Sequence, residues 1–105
     1  MEAGMKAILE VTQRMDTTYF ESARALHDEM ELRLRNRGFT VVREYPVPDR
    51  GDGRRGQIDL VVLEPFRMAL ELDTVNPRSK SVIKLKTFSG ERYVFLRASR
   101  RIIGV

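Results

Sequence analysis

Apolar and polar residues alternate most regularly in two short runs, residues 57–63 and 67–73, joined by Glu64, Pro65 and Phe66. Both runs are rich in aliphatic side chains, β-branched in the first, and the link between them is tight, which is the pattern of an antiparallel hairpin. Strand side chains point alternately to opposite faces. In the simplest register Ile58, Leu60 and Val62 share a wholly apolar face with Met68, Leu70 and Leu72. The opposite face takes Gln57, Asp59, Val61 and Leu63 from the first strand and Arg67, Ala69, Glu71 and Asp73 from the second.

Around this hairpin the period changes. Met5, Ile8, Leu9 and Val11 have loosely helical spacing, which predicts a short helix within residues 1–15, broken by Thr12 and ended near Asp16. A longer helix is expected from Asp16 to about Arg37. It has Thr18 and Glu21 in the form of a capping box, and a stripe of Phe20, Ala23, Leu26, Met30 and Leu34. Gly38 closes it, after arginines that suit the negative end of the helix dipole. Residues 39–45 read as a strand stopped by Pro46 and Pro48, and residues 49–56 as a polar glycine-rich loop carrying Arg50, Arg54 and Arg55. After the hairpin, Asn76 and Pro77 break the chain and Ser79 can cap a helix over residues 80–88. Gly90 ends that helix, and residues 93–97 form a last strand. The expected architecture is α/β: an αβββαβ core in which a mixed four-stranded sheet is flanked by helices, as one domain over residues 1–105.

Composition narrows the chemistry. At 105 residues one modest core is the expectation. The chain has no cysteine, so disulfides, thiolate metal sites and cysteine nucleophiles are excluded. The one histidine, His27, cannot build an imidazole zinc site and reads as a helix-surface or core-edge residue. No apolar run approaches the roughly 20 residues that span a membrane, and a cytoplasmic protein is the expectation. The net charge is +4. Between residues 78 and 101, Arg78, Lys80, Lys84, Lys86, Arg92, Arg97, Arg100 and Arg101 stand against Glu91 alone. That asymmetry suits a phosphate backbone, although a basic segment can also be merely solubilising.

The charge pattern returns attention to the hairpin. Asp59 lies near the start of its first strand, and Glu71 and Asp73 near the end of its second, so an antiparallel pairing sets them side by side. Like charges facing each other destabilise a sheet unless a cation holds them. A hard divalent ion, Mg²⁺ or Mn²⁺, suits three carboxylates. The plainer alternative is that alternating acids mark a solvated sheet face. Val61, Leu63 and Ala69 on the same side argue that the face is covered.

This order of elements, with an acid in the second strand and Glu71-Leu72-Asp73 at the end of the third, resembles the PD-(D/E)XK nuclease superfamily, the restriction-endonuclease-like fold. The resemblance covers residues 16–97 and matches Asp59 as the metal-binding aspartate and Glu71 as the acid of the second half-motif. It implies a Mg²⁺-dependent nuclease cutting DNA, with Asp59 and Glu71 as metal ligands, and the hairpin geometry adds Asp73 as the third candidate ligand. The chain departs from the family where lysine is expected, at Asp73. Lys80 is the first candidate for a migrated lysine and Lys84 the second, with Lys84 otherwise a nucleic-acid contact beside Arg50, Arg54 and Arg55. The resemblance also makes Glu21 a candidate ligand from the first helix, although its capping role explains it equally. Gln57, on the face of Asp59, is placed to touch substrate or to close the sheet edge.

Two classes of function follow. One is a metal-dependent endonuclease, with a homodimer expected because so short a chain leaves little room for a sequence-reading domain. The other is a catalytically inactive module of the same fold that binds nucleic acid or docks on a partner. Three acids on a basic surface would repel the phosphates that the rest attracts, and this favours the enzyme.

Overall fold

The computed structural model describes residues 2–105. In chain order it contains α1 (Ala3–Gln13), a 3-10 turn (Thr17–Phe20), α2 (Ala23–Asn36), β1 (Thr40–Val47), β2 (Gly56–Glu64), β3 (Met68–Asp73), α3 (Ser79–Leu85), β4 (Glu91–Leu96) and β5 (Ile102–Gly104). The five strands form one sheet in the order β1-β2-β3-β4-β5. β1, β2 and β3 are an antiparallel meander, α3 carries the chain across so that β4 runs parallel to β3, and β5 returns antiparallel. The sheet therefore has five strands, not the expected four. The apolar pair Ile102 and Ile103 supplies the fifth, too short a run to show a period.

Helices cover both faces. Against α1 and α2 lie Val41, Leu60, Val62, Met68, Leu70, Tyr93 and Phe95. Against α3 lie Val47, Ile58, Val61, Ala69, Val94 and Leu96, packed on Leu85 and Phe88. Coverage on both sides explains why β3 is almost continuously buried, as strands of a parallel pair are. Ile58 is on the α3 face and not with Leu60 and Val62 as simple alternation predicts. In β1, Val41 faces α2 while Tyr45 and Val47 face α3. Between them Glu44 adopts φ 55°, a left-handed conformation that turns the strand over opposite Asp59.

The ends of the helices also correct the sequence reading. Asp16 caps the 3-10 turn, accepting from Thr18 N–H, and Ser22 caps α2, accepting from Ala25 N–H. The Thr18–Glu21 capping box does not form. Leu26, Met30 and Leu34 are buried as expected, whereas Ala23 is exposed at the start of α2. Gly38, at φ 84°, closes α2, with Phe39 N–H donating back to the Leu34 carbonyl. Thr12 does not break α1, because its hydroxyl donates to the Ile8 carbonyl. Among the described residues no helix is long and apolar enough to cross a membrane.

The first turn of α1 is fastened from β4. The Glu91 carboxylate accepts from Gly4 N–H at 2.9 and 3.1 Å and from the Tyr93 hydroxyl at 2.7 Å. A side chain on Gly4 would start 2.5 Å from Met68 Sδ and 2.6 Å from Glu91 Oε1. Gly4→Ala is therefore expected to lower the unfolding free energy by about 1–3 kcal/mol, the usual range for forced overpacking. Urea unfolding of the two proteins measures it, and an unchanged midpoint would show that α1 shifts without cost.

Candidate metal site and arginine cleft

The ladder between β2 and β3 runs from Val62–Met68 to Leu60–Leu70 and stops there. Beyond that point the strands part, and two carboxylates take over the backbone pairing. Asp59 N–H donates to Glu71 Oε2 at 2.8 Å, and Leu72 N–H donates to Asp59 Oδ2 at 2.8 Å. Each acid thus satisfies a main-chain donor of the other's neighbourhood, which fixes both side chains in the opening.

Glu71 is 1% exposed, and its Oε1 lies 2.5 Å from Lys84 Nζ without a hydrogen bond of good geometry. Burial, and then the charge of Asp59, push the Glu71 carboxyl up to about 7, with the Lys84 ammonium opposing them. Lys84 also donates to the Gln57 carbonyl at 2.7 Å. It reaches Glu71 by passing over Gly56, where a side chain would sit 2.9 Å from Lys84 Cδ and from Arg50 Cδ. The lysine the structure sets at the acids is therefore Lys84. Lys80 is exposed at the start of α3, one turn away, and is not the cation brought to Glu71.

Asp73 is likewise not placed as a third free ligand. It is buried, accepts from Arg78 N–H at Oδ2 (2.9 Å), and receives Arg78 Nε (3.1 Å) and the Ser81 hydroxyl (3.0 Å) at Oδ1. Because α3 has no side-chain cap of its own, Asp73 does that work from the end of β3. Among the described residues no three His, Asp or Glu side chains converge as a metal-ligand set. What converges is the pair Asp59 and Glu71. Glu21 is exposed at the end of the 3-10 turn and takes no part.

The chain matches no protein-family model, no curated protein and no solved structure. The reading of the site therefore rests on its own geometry.

Beside Asp59 opens a cleft of about 370 Å³ between the start of α2 and the end of β3. Arg24, Arg43, Arg78 and Arg97 line it together with His27, Thr74, Asp59 and Asp73. His27 Nε2 lies 3.1 Å from the Asp59 carbonyl and, as donor, joins α2 to β2 at the site. These arginines are scattered over the sequence, and no spacing rule groups them. Of the loop arginines, Arg50 is held by Asp52 at 2.6 Å, while Arg54 and Arg55 are exposed.

Proposed function

We infer that the chain is a metal-dependent phosphodiesterase that hydrolyses DNA at Asp59 and Glu71. The observation that carries the reading is the pair of carboxylates held in the opening between β2 and β3, with the Lys84 ammonium at one of them. One ammonium faces two carboxylates, and the pair fits a hard divalent cation such as Mg²⁺ or Mn²⁺. Asp73 does not fit the same role, because Arg78 and Ser81 occupy its oxygens. Such an ion lowers the pKa of a bound water and offsets charge on the phosphate oxygens. The protein's own part is to fix the two carboxylates through Asp59 and Leu72 N–H and to keep the Lys84 charge at Glu71. Arg54 and Arg55 stand ready on the loop for backbone phosphates.

Asp59→Asn is the discriminating variant, because the amide oxygen still accepts from Leu72 N–H while the charge is gone. Cleavage of supercoiled, linear, branched and single-stranded DNA in Mg²⁺ or Mn²⁺ is expected to fall by at least about 100-fold in this variant, and to vanish in EDTA. Lys84→Ala is expected to slow cleavage far more than Lys80→Ala or Lys86→Ala. Cutting that survives Asp59→Asn would remove the metal site from these residues. A second reading, a module that binds nucleic acid without cutting, is favoured by the structural commitment of Asp73. Binding to every substrate with no cutting in either metal would select it.

A further inference from the structure

The cleft beside Asp59 is lined by four arginines and two aspartates. The four are not equivalent. Arg43 is ion-paired with Asp28 and Glu31, and Arg78 with Asp73. Arg97 donates only to neutral oxygens, the Phe20 carbonyl at 3.1 Å and the Thr74 hydroxyl at 3.4 Å. Arg24 has no carboxylate within ion-pairing distance among the described residues, although its field helps to hold Asp28 below the usual carboxylate range, after the hydrogen bond from Arg43. Two guanidiniums with spare donors thus share one cavity, at the end of the sheet where Asp59 and Glu71 lie.

We propose that Arg24 and Arg97 bind the terminal phosphate of a nucleic-acid strand in this cleft. The proposal rests on the nuclease reading for its substrate but stands on its own geometry. A terminal phosphate monoester carries close to two negative charges at neutral pH, and an internal diester only one. Two guanidiniums without a carboxylate partner therefore match a strand end better than a passing backbone. The cavity is large enough for a phosphate with its sugar and too small for a duplex. No Phe, Tyr or Trp side chain lines it, so stacking on a large aromatic ring is not what it selects. Guanidinium donors suit phosphate oxygens because two parallel N–H bonds can form at once.

The test is binding in EDTA, where nothing is cut, of fluorescent oligonucleotides of one sequence with phosphate or hydroxyl at the 5′ end, and separately at the 3′ end. One phosphate-terminated strand is expected to bind about tenfold tighter than its hydroxyl counterpart. Arg24→Gln, at an exposed position, is expected to erase that preference while leaving hydroxyl-ended binding unchanged. Arg97→Lys, which keeps the charge but loses the fork, is expected to reduce it. Equal affinity for both ends in the unaltered protein, or a preference that survives Arg24→Gln, would overturn the proposal. Inorganic phosphate competing as well as the phosphorylated oligonucleotide would overturn the strand end in favour of a small phosphate-bearing ligand. A protein that prefers phosphorylated ends but cuts nothing would leave this subsite standing and overturn the nuclease reading alone.

Discussion

Lys84→Met is expected to cost about 1–1.5 kcal/mol more stability at pH 8 than at pH 5, because it strands a buried carboxylate only where that carboxylate is ionised, and above pH 7 the stranded group takes up a proton instead. Lys84 is the cation at Glu71, which is 1% exposed. Burial and Asp59 raise the Glu71 carboxyl from its ordinary 4.5 to about 7. Between those values the folded protein holds a proton that the unfolded chain has released, so stability falls as pH rises through this window and levels off above it. The shift corresponds to a loss of about 3 kcal/mol across the window. Without Lys84 the folded carboxyl rises further, the window widens upward, and the cost at pH 8 grows. At pH 5 Glu71 is protonated in both proteins, and methionine keeps the apolar stem that passes over Gly56. Urea unfolding at the two pH values measures the difference. An equal loss at both would show that Lys84 acts through its stem and its bond to the Gln57 carbonyl. Adding Glu71→Gln to the variant should recover most of the loss at pH 8.

The hairpin was legible because its alternation is strong and its turn short, and β2 and β3 lie within one residue of the expected runs. The stripe of α2 was legible for the same reason at the helical period. What escaped was decided by contacts between distant parts of the chain. Ile58 changes faces because Glu44, in the neighbouring strand, adopts a left-handed conformation that its residue type does not announce. β5 is three residues long, too few to show a period. At the site, Asp59 and Glu71 were readable as a pair because an antiparallel hairpin brings their strand ends together. Which lysine reaches them was not, since Lys80 and Lys84 lie one helical turn apart on α3. The signal available was Gly56, whose missing side chain leaves the path that Lys84 follows. The arginine cleft draws on α2, β1, the segment after β3 and the residue after β4, and only the assembled sheet end places them together.

Asp73→Lys, which installs the residue that the resembled nuclease motif carries at this position, is expected to lower both stability and cleavage instead of raising activity. Asp73 holds three donors at once, and the Ser81 hydroxyl among them is fully buried. Asp73→Asn keeps an acceptor and weakens an ion pair to an arginine that is 67% exposed, so it should cost about 1 kcal/mol. Asp73→Ala strands the Ser81 hydroxyl and frees the start of α3, at a cost of about 3 kcal/mol. Lysine sets a cation where three donors already point, and its cost should exceed that of alanine. Thermal unfolding of the three variants, with DNA cleavage measured below each midpoint, tests the order. Stimulated cleavage in Asp73→Lys would show that the position opens onto the carboxylate pair. The expected order follows from one arrangement: the acid at 73 anchors α3, and α3 delivers Lys84 to Glu71, so replacing the anchor removes the lysine that already serves the site.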